Sequence, residues 1–145
     1  MLLSLILFHI FKDGWTPFHL AAREGDVEIM QILLEKNRQI VLTTSKNGRT
    51  PLHTACLHGR IEAVKLILLQ NFDDSPPIDL ITDSCLNLPI MDTVRAGSVE
   101  ILELLTERNP LSIYQKDILS RNTLHIAAET GNGNIVQHLI EANHS

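Results

Sequence analysis

The segment Thr50-Pro51-Leu52-His53-Thr54-Ala55 restates Thr16-Pro17-Phe18-His19-Leu20-Ala21 at a distance of 34 residues. A degraded copy, Leu88-Pro89-Ile90-Met91-Asp92-Thr93, stands 38 residues further on, and Asn122-Thr123-Leu124-His125-Ile126-Ala127 lies 34 beyond that. Each copy is followed at one fixed offset by a glycine: Gly25, Gly59, Gly97 and Gly131. A second apolar run then begins, such as Val27 to Leu34. Self-similarity at this period marks a stacked array, whose units share one continuous core and whose function is carried by its surface.

The residue types define the unit. Thr16 and Thr50 suit a helix N-cap, where a hydroxyl accepts an orphan backbone N–H. Pro17, Pro51 and Pro89 suit the first helical position, where no N–H is needed. The first helix is short and rich in small residues (Ala21, Ala22, Ala55, Ala127, Ala128), which permits close approach of neighbours. The fixed glycine supplies a positive φ between the two helices. Ile61, Val64, Leu66, Ile67 and Leu68 give the second helix its periodicity. Gln39 to Thr44 reads as an extended stretch leading to a turn at Asn47-Gly48, which matches Asp13-Gly14 in the first copy. In the third copy Leu88 stands for the cap threonine, Met91 for the histidine and Leu86 for the finger glycine, so this layer is expected to be the weakest inside the array.

These residues resemble the ankyrin repeat from about Lys12 to Asn143. The resemblance implies an all-α repeat solenoid of helix-turn-helix pairs with short β-hairpin fingers and little true sheet. The units fall at about 12–45, 46–82, 83–117 and 118–145, after a leading partial segment at 1–11. Lys12-Asp13-Gly14-Trp15 with Phe18-His19, Arg23-Glu24-Gly25-Asp26, Arg49 to Ala55, and Asp83, Cys85 and Met91-Asp92 before Gly97 further resemble a subfamily of longer arrays. The chain would then correspond to an internal part, or a short isoform, of such an array. That subfamily is linked to alanyl-tRNA synthetase proofreading, in which array lysines take up misactivated serine. Lys12 aligns with one such lysine, and a second would fall near Leu42 and is lost here. The resemblance also implies a structural role for His19, His53 and His125, each bonded to its cap and to finger backbone.

Composition narrows the classes of function. A length of 145 residues suits one domain of four units, and 44% apolar content allows a sizeable core. The formal net charge of −5 gives no general basic field for nucleic acid or an anionic membrane. Two cysteines are too few for a disulfide framework and point to a reducing setting, cytoplasmic or nuclear, with a monomeric chain. Cys56, beside Ala55, is expected in the core, and Cys85 exposed near a finger tip. The apolar run Met1 to Phe11 is shorter than a membrane span and has neither a basic n-region nor a small-residue cleavage site. It reads as an extended strand of an incomplete first unit. The added residues before the third copy, Asp73-Asp74-Ser75-Pro76-Pro77, read as an exposed loop.

No catalytic constellation, metal site or cofactor motif is expected. His19, His53 and His125 recur once per unit, so they sit on successive layers about 10 Å apart, too far to share a metal. His53 and His58 miss the i, i+4 spacing of a helical zinc pair. Gly131-Asn132-Gly133 follows a helix rather than a strand and lacks a third glycine, so it is no phosphate loop. Glu28, Glu62 and Glu100 recur at one position and read as a solvated face.

The expectation is therefore a protein-binding module using finger tips and the concave side of the first helices. The positions left free by stacking hold Lys12, Asp13, Trp15, Arg23 and Glu24 in the first unit. They hold Lys46, Asn47, Arg49, Leu57 and His58 in the second, Asn87 and Arg95 in the third, and Arg121 in the fourth. Trp and Arg most often anchor interfaces. The excess of cations among these residues predicts an acidic or mixed-charge protein partner.

Overall fold

The computed structural model of the protein describes residues 6–73 and 75–142. Four helix pairs follow one another: α1 (Pro17–Glu24) with α2 (Val27–Lys36), α3 (Pro51–Leu57) with α4 (Ile61–Leu68), α5 (Pro89–Ala96) with α6 (Val99–Arg108), and α7 (Thr123–Thr130) with α8 (Gly133–Ala142). No strand occurs among the described residues. This is the all-α repeat solenoid that the recurrence predicts.

Local chemistry starts and stops each helix. The Thr16 and Thr50 hydroxyls accept the amides of His19 and His53, each at 3.3 Å, and Asn122 Oδ1 accepts that of His125 at 3.0 Å. The histidine ring reciprocates: Nδ1 accepts the cap residue's own N–H at 3.2, 3.1 and 3.2 Å respectively. Each pair closes a capping box. Leu88 cannot cap, and the Met91 amide turns instead to the Leu88 carbonyl at 3.0 Å. Gly25 ends α1 at φ 73°, and a Cβ there would meet Arg60 Cδ at 2.9 Å. That side chain crosses from the next unit to donate from Nε to the Arg23 carbonyl at 2.9 Å.

First helices pack on first helices along the array, α1 on α3, α3 on α5 and α5 on α7, with the second helices forming an outer row. Phe18, Leu52 and Ile90 occupy one position of successive first helices and are at most 1% exposed. Their equivalent in α7, Leu124, is 40% exposed. Positions one helical turn on behave alike: Ala22, Cys56 and Val94 are fully buried, and Ala128 is exposed. Burial here is created by the following layer, as nearest-neighbour stacking requires. In the third unit Leu88 and Met91 are buried despite the lost cap and histidine.

Two expectations need correction. The stretch from Gln39 to Thr44 is not extended: Arg38–Leu42 forms a 3-10 helix, and extended backbone begins at Thr43. The Asn37 side chain accepts the Gln39 amide and starts the turn, and burial of Ile40 and Val41 fixes it against the core. Equivalent 3-10 turns span Ile78–Leu80 and Pro110–Tyr114. The run from Met1 to Phe11 is not a strand in its described part. Ile6 and Leu7 are helical, with Leu7 buried and Phe8 half-buried against the core, and 1–5 lie outside the described residues. Asp73, Pro76 and Pro77 are exposed, as the loop reading predicts.

Candidate functional site

The fingers are tight turns joined to one another. Each closes with one backbone bond, Phe11 N–H to Trp15 O, Ser45 to Arg49, Asp83 to Asn87 and Asp117 to Arg121, at 2.6, 2.8, 3.0 and 2.9 Å. Each of the first three then accepts from its successor: Lys46 N–H to Asp13 O at 2.8 Å, Ser84 to Asn47 at 2.9 Å and Ile118 to Cys85 at 3.0 Å. The turn needs a left-handed residue. Gly14 supplies it at φ 81°, where a Cβ would lie 2.8 Å from Lys46 N. Leu86 and Ser120 hold the same position at φ 59° and 61°. In these two later fingers an aspartate braces the turn. Asp83 Oδ1 accepts the amides of Cys85 and Asn87 at 2.8 and 2.9 Å, and Asp117 Oδ1 those of Leu119 and Arg121, both at 2.9 Å.

Four of the expected contact residues, Lys12, Asp13, Lys46 and Asn47, are exposed at finger tips, and Leu57 and His58 are exposed where α3 ends. Trp15 is half-buried, its ring centroid 5.7 Å from that of His19. The Arg23 guanidinium lies over it at 5.8 Å and also bonds Glu24 at 2.9 Å. Trp15, Arg23 and Glu24 thus form one cluster.

A second cluster joins Arg49, Asn87 and Arg95 through two carboxylates. Arg49 Nη1 lies 2.9 Å from Asp83 Oδ2, and Nη2 lies 2.7 Å from Asp92 Oδ2. Arg95 binds the other Asp92 oxygen at 3.2 Å and Asn87 Oδ1 at 3.1 Å. Asp83 and Asp92 side chains are only 5% and 3% exposed. Arg121 stands apart, bonded to Asp117 at 2.8 Å and Glu129 at 2.6 Å.

Burial raises the Asp83 carboxyl pKa, but the Asn87 and Cys85 amides and Arg49 outweigh it and hold it below its ordinary value. Asp117 is likewise lowered: burial works upward, and Arg121 and the Leu119 amide overcome it. Burial lowers His19 and His53, although their Nε2 atoms meet the carbonyls of Arg49 at 2.9 Å and Asn87 at 2.8 Å. Because Nδ1 accepts a backbone N–H, Nε2–H is the donor and both rings are neutral. His125 keeps its cap but is exposed. Burial pushes the Cys56 thiol up to about 12, and Cys85 is exposed, both as expected.

Sequence reading gave this face its cations and missed the carboxylates beneath them, Asp92, Asp117 and Glu129 above all. The recurrence of aspartate at the first finger position, Asp83 and Asp117, was an available signal. Asp92 gave none, since its equivalents are Leu20, Thr54 and Ile126. Among the described residues, no helix is long and apolar enough to cross a membrane. A family model of three ankyrin repeats matches residues 2–76. That match covers half the chain, and the same caps, turns and stacking recur outside it through α8, so the chain belongs to the ankyrin repeat family.

Proposed function

We propose that this chain is a protein-binding scaffold that takes a mixed-charge partner surface along its finger tips and the exposed side of its first helices. Ankyrin repeats generally mediate protein–protein interaction. The observation that carries the proposal is the pairing state of the cations. Arg49, Arg95 and Arg121 are held by carboxylates, whereas Lys12 and Lys46 stand at successive tips with no ion-pair partner among the described residues. The tips therefore hold the cations open to a partner's carboxylates, beside the Trp15–Arg23 stack, which offers an aromatic anchor. Charge reversal at both tips, Lys12→Glu with Lys46→Glu, tests the reading because neither side chain supports the fold. Partner capture by the folded variant should drop, and capture by the parent chain should weaken with salt. Undiminished capture by the variant overturns it.

The exposure of Lys12 also supports a second reading, an auxiliary role in alanyl-tRNA synthetase proofreading. There the Lys12 amine attacks the carbonyl carbon of adenylate-activated serine, forms an amide and releases AMP. Intact mass after incubation with the synthetase, serine and ATP decides it. A seryl adduct lost in Lys12→Arg supports acceptance at this lysine, and an unmodified chain excludes it.

A further inference from the structure

The outer row of helices carries a second surface, unrelated to the finger tips. Between α4 and α6 runs a trough made of two hollows that share Lys65 and Leu104. The larger, about 390 Å³, is floored by Leu68, Leu69 and Leu104 and closed by the stems of Lys65 and Arg108. The smaller, about 200 Å³, continues past Ile61 to Glu100, Glu103 and Glu107. Leu69, the residue after α4, is 75% exposed, at a position where its equivalents in the neighbouring units are the exposed Glu35 and Glu107, so here an apolar side chain stands on the outward face.

Charge around the trough is predominantly acidic, three glutamates of α6 against Lys65 and Arg108. Glu100, Glu103 and Glu107, at i, i+3 and i+7, form one stripe of α6. Glu100 and Glu107 have no ion-pair partner among the described residues, and Glu103 Oε1 lies 3.9 Å from His138 Nε2. The local cations are already engaged. Arg108 turns inward, 3.5 Å from Asp79 and 3.4 Å from the Leu68 carbonyl, and Lys65 lies 3.6 Å from Glu62. An apolar floor beside an acidic stripe that outnumbers the local cations is complementary to an apolar edge flanked by cations.

We infer that the α4–α6 trough docks a basic amphipathic helix of a partner protein, with an apolar anchor on Leu68, Leu69 and Leu104 and lysine or arginine side chains on Glu100, Glu103 and Glu107. A helix fits because a ridge of side chains at i, i+3, i+4 and i+7 seats in the groove between two neighbouring helices. The carboxylates one and two turns apart meet cations at that same spacing.

The test uses a fluorescein-labelled designed peptide with a leucine edge flanked by lysines, read by anisotropy against the full chain. Controls are a scrambled peptide of the same composition and a leucine–glutamate peptide. The leucine–lysine helix should bind at least tenfold more tightly than either, and high salt should weaken it. Leu69→Lys and the pair Glu103→Lys, Glu107→Lys alter exposed side chains, and each should weaken binding tenfold or more with the circular dichroism unchanged. Equal binding of the scrambled peptide, preference for the glutamate peptide, or indifference to these substitutions overturns the inference. So does sedimentation showing that Leu69→Lys dissolves a dimer, because the trough would then hold a second copy of the chain.

Discussion

Arg49 and Asp92, separated by 43 residues, meet with Nη2 2.7 Å from Oδ2 and tie the second unit to the third. The same guanidinium holds Asp83, so one half-buried cation satisfies two nearly buried carboxylates. Breaking a buried pair from one side leaves an uncompensated charge, and this cost exceeds that of a surface bridge. Arg49→Ala should therefore destabilise the fold by about 2–3 kcal/mol in denaturant titration, a value reduced from the fully buried case because Arg49 retains some solvent. Adding Asp92→Leu should recover part of the loss. A cost near zero for Arg49→Ala would show that water replaces the arginine freely.

Acid should weaken the array in two stages. Histidines of the unfolded chain titrate near 6.5, and those of His19 and His53 in the fold lie lower. Between the two values the unfolded chain binds more protons, so this contribution is complete above 6.5 and is lost as pH falls through the folded values. Asp83 and Asp117 act in the same direction below their ordinary 3.8. The urea midpoint should be lower at about pH 5.5 than at about pH 7.5, and His19→Gln with His53→Gln should flatten that difference. A midpoint that rises on acidification would contradict the neutral, bonded rings.

The two thiols should separate by reactivity. Cys56 is fully buried with its pKa pushed up to about 12, and Cys85 is exposed at a finger. A thiolate-specific reagent should label one cysteine per native chain and two after denaturation, with Cys85→Ser abolishing the native signal. Native labelling of Cys56 would show that the junction of α3 with α5 opens readily.

Leu86 occupies the position that Gly14 and Gly48 hold in earlier fingers, and its φ of 59° is costly for a residue with a Cβ. Its side chain is half exposed, so little packing offsets that cost. Leu86→Gly should stabilise the chain by about 0.5–1 kcal/mol, the left-handed strain relieved exceeding the added backbone freedom of the unfolded state. A loss of stability would mean that the leucine makes contacts worth more than the strain.

How much of this was legible depended on distance along the chain. Caps, turn glycines and both cysteine environments follow from residues within one unit, and the sequence pattern was sufficient for them. Bonds between layers were harder. His53 to the Asn87 carbonyl and Arg49 to Asp83 both span 34 residues, the period itself, so their spacing was visible but not their partners. Arg49 to Asp92 belongs to no repeated position and was invisible. The 3-10 turn at Arg38–Leu42 was missed because its apolar run fits a strand equally well, and burial of Ile40 and Val41 decides between them. Leu88 does leave the third helix pair without a side-chain cap, as read from the sequence, while the Arg49–Asp83–Asp92–Arg95 network beside it could not be foreseen.

The fingers and the helices connect the layers with unequal stiffness. Helix rows interlock through side chains buried at each junction, whereas the first two tips are joined by one backbone hydrogen bond, Lys46 to Asp13, without an ion pair among the described residues like the Arg49–Asp83 bridge between the second and third. Bending at the first junction would therefore be easiest at the tips, much as pages bound along a spine fan at their free edge. A partner gripping Lys12 and Lys46 together would set the gap between those tips, so its affinity would carry the elastic energy of opening or closing the array.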